Sequence, residues 1–426
     1  LVPNTTHLWS SPDMSYQLKP KTPAGKVFVN ATESLTESLR DRAQAADQSS
    51  TVAATSFDDL KTAGINGAFV PEDCGGFGLT SIHDWIVGMS RLGRGDGSVA
   101  LATNMHLAVS RGLSSGRAAA QSSGNDSLAK ALEAQLEQIV TGNMTICATA
   151  TEPGTDNLHP LTQATPVNDG WRIDGLKLFV TGSPIASHIA MNLRVKGRDE
   201  KPDSIGSVMM PMTTKGIEPQ NDWNAMGMKG SGSQSIRFNN VVVPKTAVNP
   251  IGPWGYWNTG MLMNRNLANL PLLGVFLGIA EHAYELAIEA ALATKKEGKP
   301  RQADLPGIQH MIAEIEITLA STQSIVGRMG EITDDFLEEF QQKKIPIERA
   351  HELLKDHQSM KWVVNRNAIE IVNRAMDVVG GSGFMDNNPL SRLYRDVRAG
   401  PFMQPYSPTE ARDYIGKVAL GIYPSK

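Results

Sequence analysis

Histidine and cysteine, the side chains that most often do chemistry, are thinly spread in this sequence. Cys74 and Cys147 lie far apart and fit neither metal-ligand spacing nor a disulfide framework, so both read as small hydrophobes of a reducing, cytoplasmic setting. His282, His310, His351 and His357 fall in helical sequence with no shared metal spacing, and no metal site is proposed. His106 stands alone within Asn104-Met105-His106-Leu107, where such a residue is more often core than functional. Gly380-Gly381 is a pair that lets backbone N–H groups approach an anion with no Cβ in the way, although such pairs also end helices. On strand pattern alone, Phe179 and Thr181 are ordinary sheet residues.

The chain that positions them has 426 residues, of which 41% are apolar, 20% charged and 6% aromatic. That suits roughly two to four packed domains and excludes a disordered or fibrous protein. The formal charge is −4, with no long block of one sign, so nucleic acid is not an expected partner. No uncharged apolar run has the length of a membrane span; the richest, 270–292, carries Glu281, His282, Glu285 and Glu289 on a helical period and reads as a core helix. Residues 1–29 read as a leader or disordered tail. Helical periodicity then runs through 30–143, and short Thr-, Val- and Ile-rich runs such as 145–150, 177–181, 188–195 and 236–243 fill 144–249. Asn168-Asp169-Gly170 and Asp174-Gly175 read as hairpin corners. Residues 250–426 are helical again, with long segments at 261–294, 305–341, 346–379 and 408–420 and a charged helix end at 331–344 that puts Asp334 and Asp335 on the wet side.

The seams of this α, β, α order carry recognisable blocks. They are Val70-Pro71-Glu72-Asp73-Cys74-Gly75-Gly76, Thr149-Ala150-Thr151-Glu152-Pro153-Gly154, Lys177-Leu178-Phe179-Val180-Thr181-Gly182, Met226-Gly227-Met228-Lys229-Gly230-Ser231, Val379-Gly380-Gly381-Ser382-Gly383 and Leu393-Tyr394-Arg395-Asp396. In these blocks the chain resembles the acyl-CoA dehydrogenases over residues 30–421. The resemblance implies an α+β flavoprotein with an N-terminal helical domain, a middle β-barrel and a C-terminal four-helix bundle, assembled as a homotetramer or dimer. It also implies that Phe179 lies against the flavin ring, Thr181 near its reactive nitrogen, and Thr151 with the backbone of Thr149 at its pyrimidine edge. Gly380 and Gly381 would then face the diphosphate of FAD, often a neighbouring subunit's.

The sequence departs from that family where its chemistry is done. Counting forward from Arg395-Asp396, Gln404 takes the place of the glutamate that removes the substrate's α proton; counting back from Glu410, Tyr406 does. A neutral amide cannot take that proton, and a phenol takes it poorly at neutral pH. The family's second base position reads Asn264-Arg265-Asn266, again without a carboxylate. Lys295, Lys296 or Arg301 stand where an arginine grips the diphosphate, and Asp377 replaces a glutamine ahead of Gly380, which brings FMN into consideration beside FAD. The resemblance therefore leaves open three readings. The first is an FAD-dependent oxidation of an acyl thioester or related small molecule, passing electrons to a partner. The second is a two-component monooxygenase fed by a flavin reductase, with His106 as a candidate proton-handling residue. The third is a silent homologue that binds flavin or an acyl ligand.

Overall fold

The computed structural model describes residues 16–197, 201–293 and 300–425. Lys295 and Lys296 lie outside these residues; Arg301 is paired with Asp304 at 3.0 Å. The N-terminal helices are α1 (Pro23–Ser49), α2 (Ala54–Thr62), α3 (Ile82–Gly95), α4 (Gly97–Ser122) and α5 (Asp126–Val140). α1 begins seven residues before the expected boundary at residue 30, so 23–29 are helix rather than tail. Thr22 caps the helix by accepting from Gly25 N, Pro23 supplies a first-turn φ, and Phe28 is fully buried.

The middle region holds β1 (Ile146–Thr149), β2 (Gln163–Val167), β3 (Gly170–Val180), β4 (His188–Val195), β5 (Ser204–Pro211), β6 (Ile217–Pro219), β7 (Gln234–Pro244) and β8 (Val248–Pro253). They form one sheet in the order β6-β7-β3-β2-β4-β5-β8, with β1 parallel to β4. Asn168 and Asp169 turn the β2–β3 hairpin as expected. Asp174-Gly175 does not turn the chain: it lies inside β3, at a register shift between Ile173 and Gly175. Gly175 has φ +156° and presses on Thr162, so the glycine serves a bulge and a close approach instead of a corner.

The C-terminal helices are α6 (Thr259–Asn269), α7 (Leu272–Leu292), α8 (Pro306–Glu339), α9 (Ile347–Val379), α10 (Pro389–Val397) and α11 (Pro408–Ala419). The single segment expected over 261–294 is two helices broken at Leu270-Pro271, because proline has no N–H to continue the ladder. Asp334 is not on the wet side of α8. It turns to the start of α3, accepting from Ser81 Oγ at 2.6 Å and from the backbone N of Ile82 and His83 at 2.6 and 3.2 Å. α3 and α7 approach so closely that a methyl group on Gly274 or Gly278 would strike the α3 backbone at Ile86 or Ser90. One core therefore joins the first and last thirds, with Phe28, Trp85 and Ile86 packed in the same cluster as Phe276, Ile279 and Ile371. The sheet keeps its own core around Ile173, Ile189, Leu193 and Val241. Thr259–Leu292 is, among the described residues, the one helical span long and apolar enough to cross a membrane, and 83% of its most apolar window is buried inside the protein.

Candidate functional site

The end of β3 carries an unusual backbone. Phe179 sits at φ 53° beside a second register shift, between Lys177 and Val180, a conformation that costs a bulky L-residue about 1 kcal/mol. The turn throws the ring outward, 55% exposed and edge-on to Trp223 with centroids 6.1 Å apart. Trp223 is itself fixed, its indole N–H donating to Met228 O at 3.1 Å and its backbone N to Gln234 Oε1 at 2.8 Å. A strained backbone that exposes an aromatic face serves a ligand better than it serves the fold. Next to it, hydroxyls run in a chain from Ser231 through Ser233 to Thr181, at 2.7 and 2.9 Å, so the Thr181 hydroxyl is buried and already partnered.

The loop after β1 holds the other edge. Thr149 Oγ1 donates to Leu178 O at 2.9 Å and accepts from Thr151 N at 3.2 Å, while Leu178 N donates to Thr151 O at 3.0 Å. The segment is thereby stitched to the residue before Phe179. Glu152 anchors the far side: its carboxylate takes the Lys177 ammonium at 2.5 Å and accepts from the backbone N of Leu161 and Thr162. Both members of that ion pair are buried.

Gln404 comes to this edge from the C-terminal region. Its Nε2 donates to Thr151 Oγ1 at 3.3 Å, and its Oε1 accepts from Arg265 Nη2 at 3.2 Å. Arg265, on α6, also donates to Pro405 O, and with its amide oxygen turned inward Asn157 accepts from both guanidinium nitrogens at 2.8 and 2.9 Å. The guanidinium is stacked on Trp257 at 5.0 Å and Tyr406 at 4.8 Å. Tyr406 turns away into the helices, its ring 4.7 Å from that of Tyr414, and burial raises its phenol above the ordinary value. Of the two candidates for the base position, Gln404 is the one that reaches the sheet. From α9, Lys361 donates to Met403 O and, at 2.7 Å, to Tyr406 O. Nothing in the sequence signalled that Arg265 and Lys361 hold the Gln404 segment, the first because it was read only as a missing carboxylate, the second because it sits in an unbroken helical pattern.

His106 lies elsewhere. Nε2 donates to Asn66 O at 3.0 Å and Nδ1 accepts from Ile146 N at 3.1 Å, so both ring nitrogens are spent pinning α4 to the chain around it. Burial pushes its pKa down to about 4. Asp396 accepts from Met228 N at 2.5 Å, and Arg395 holds Asp47 at 2.8 Å, so this Arg-Asp pair ties α10 to α1 and to the loop before β7. Gly380 has φ 72° and open space where a Cβ would stand; Asp377, before it, is exposed, so solvent screens the repulsion expected of its charge.

An outward aromatic face and a hydrogen-bonding edge built from Thr151 and Gln404 thus stand side by side, while the open glycine turn at Gly380 belongs to the end of α9. The sequence matches the acyl-CoA dehydrogenase N-terminal domain over residues 28–120, the middle domain over 145–241 and the C-terminal domain over 266–404. The chain belongs to the acyl-CoA dehydrogenase family, and it is a flavin-dependent oxidoreductase. Amino sugar nitrososynthase DnmZ of Streptomyces peucetius is 31% identical to it over 404 residues, which cover 95% of each chain. L-evernosamine nitrososynthase of a Micromonospora species is 29% identical over 425 residues, 98% of this chain and 95% of that one. The structure of KijD3 in complex with FMN and dTDP-3-amino-2,3,6-trideoxy-4-keto-3-methyl-D-glucose is similar at a TM-score of 0.86 and 29% identity, over 96% of this chain and 97% of that chain.

Proposed function

We propose that this chain is a two-component, FMN-using N-oxygenase acting on the amino group of a nucleotide-activated amino sugar. The observation that carries the reading is Gln404, a neutral amide held beside Thr151 by a cation, at the position that counting forward from Arg395-Asp396 matches to the family's carboxylate. A carboxylate there would draw a substrate amine into its ammonium form, whose lone pair is occupied. A neutral amide flanked by Arg265 and Lys361 favours the uncharged amine, because nearby positive charge disfavours a second one. The same residues offer nothing to accept an α proton, which counts against the acyl-thioester oxidation.

When bound, reduced flavin with oxygen supplies one oxygen atom to the amine, which becomes a hydroxylamine while water and oxidised flavin are released. A second such turnover, again consuming one oxygen and one reduced flavin, takes the hydroxylamine to the nitroso sugar with two waters. In that chemistry Gln404 accepts from or donates to the substrate nitrogen, Thr151 fixes the amide's orientation, and Phe179 with Trp223 forms the apolar wall that keeps water out. Reduced flavin comes from a separate reductase. The chain works in the cytoplasm as a homo-oligomer, in which Gly380 and Gly381 lie against a flavin phosphate.

The test is incubation of the purified chain with a dTDP-linked amino sugar, FMN, a flavin reductase and isotopically labelled oxygen. Gain of labelled oxygen by the sugar is expected. Hydrogen peroxide with no oxygenated sugar, or anaerobic bleaching of bound flavin by an acyl thioester, would refute the reading.

A further inference from the structure

The segment that carries Gln404 is held by two cations from different helices. Lys361, 5% exposed, donates to the carbonyls of Met403 and Tyr406, on either side of Gln404-Pro405, and Arg265 donates to Pro405 O and to the Gln404 side chain. Among the described residues Lys361 has no carboxylate at ion-pair distance. An apolar side chain of that length would suit the inside of a helical bundle better than a buried ammonium with only neutral acceptors. The charge is thus costly to the fold and useful to the segment.

We propose that Lys361 is a positioning residue of the oxygenation site, its ammonium gripping the backbone on both sides of Gln404 and so setting the reach of the amide to Thr151. The inference rests on the reading above in one respect: that Gln404 meets the substrate nitrogen.

The grip depends on pH. Burial and the positive charge of Arg265 on α6 lower the Lys361 pKa to about 7, with Glu410 on α11 opposing them; His357 and Arg366 on its own helix and Tyr406 also lie near it. The ammonium is complete below that value and gives way above it to a neutral amine, whose hydrogen bonds to the two carbonyls lose their charge assistance. Its effect on global stability has the opposite sign. From about pH 7 up to the lysine's unfolded pKa of about 10.4, the unfolded chain binds the proton that the folded chain has lost, so this group makes stability rise with pH. These opposite signs identify the clamp itself, and the ratio of oxygenated sugar to hydrogen peroxide tells a positioning lysine from a merely structural one.

Hydrogen–deuterium exchange of the ligand-free full chain tests this, measured a pH unit below and above the Lys361 pKa and corrected for intrinsic rates. In the wild type, exchange across 399–407 should rise several-fold at the higher pH while α9 is unchanged. Lys361→Met should show the faster exchange at both pH values, and Lys361→Arg the slower exchange at both. The ratio of oxygenated sugar to hydrogen peroxide should fall several-fold in Lys361→Met and recover in Lys361→Arg. Wild-type exchange without pH dependence, or pH dependence that persists in Lys361→Arg, would overturn the proposal, and the second measurement decides even where Lys361→Met does not fold. Because exchange needs neither flavin nor substrate, failure of amine oxygenation with the grip intact would refute the functional reading and leave the clamp standing.

Discussion

At Phe179, stability and function pull in opposite directions. Phe179→Gly removes a positive-φ strain worth about 1 kcal/mol, so its thermal midpoint should hold or rise. The same change deletes the aromatic face, and FMN titration should show affinity down at least about tenfold, or about 1.4 kcal/mol. A lower midpoint with unchanged flavin affinity would show the ring to be ordinary packing. Gln404→Glu reads the site's electrostatics: a carboxylate beside the substrate amine should shift the acid limb of the pH–rate profile upward by about one unit. His106 and His357, with pKa values lowered by burial to about 4 and about 3, contribute a pH dependence of stability instead. Both are neutral in the folded chain, so their contribution is complete above about pH 6.5 and drains away as pH falls towards 4 and below. The urea midpoint should drop across that window, and His106→Gln should remove part of the slope. The sequence offered Gln404, by counting from Arg395-Asp396, and Tyr406, by counting back from Glu410, as alternatives at one position, and the structure brings Gln404 to Thr151. The choice between them was not legible, since two residues of chain decide which side chain faces the sheet.

The elements were legible where periodicity and turn chemistry agree, and misread where tertiary contact overrules them. Asp174-Gly175 has the composition of a corner, but the partner strand and Thr162 hold it inside β3. Asp334 lies in a charged run that looks solvated, and only the fold brings the start of α3 to it. Asp334→Ala should therefore destabilise the protein by about 1–2 kcal/mol, as loss of a helix cap does, with the loss read as a lower unfolding midpoint. Gly278→Ala should cost more, about 3 kcal/mol, because a methyl group would strike the α3 backbone at Ser90 and helix axes cannot separate without opening the shared core. An unchanged midpoint in Gly278→Ala would mean that the α3–α7 contact yields easily.

Across the whole molecule, the α, β, α order of the sequence gives the chain's texture and not its cores. The two helical thirds share one cluster and are cross-linked by Asn104 Nδ2 to Ala268 O at 2.9 Å, and loops of the sheet region are tied to them through Met228 N to Asp396 and Thr151 to Gln404. Such cross-links join what composition would divide into independent domains. Unfolding followed by tryptophan fluorescence and by far-ultraviolet circular dichroism should give coincident transitions. Separate midpoints would show that the sheet melts on its own.

The shared core also sets an order of events during synthesis. The apolar face of α3 leaves the ribosome long before α7, its partner, has been made, and at ordinary translation rates the delay is on the order of ten seconds. Through that interval Ile86 and Met89 lack their partner on α7, whereas Trp85 already has Phe69, and the sheet, whose strands all lie between, can close on its own core. Chains halted before α7 should therefore aggregate more readily than the complete chain, which light scattering of the two translated side by side would read.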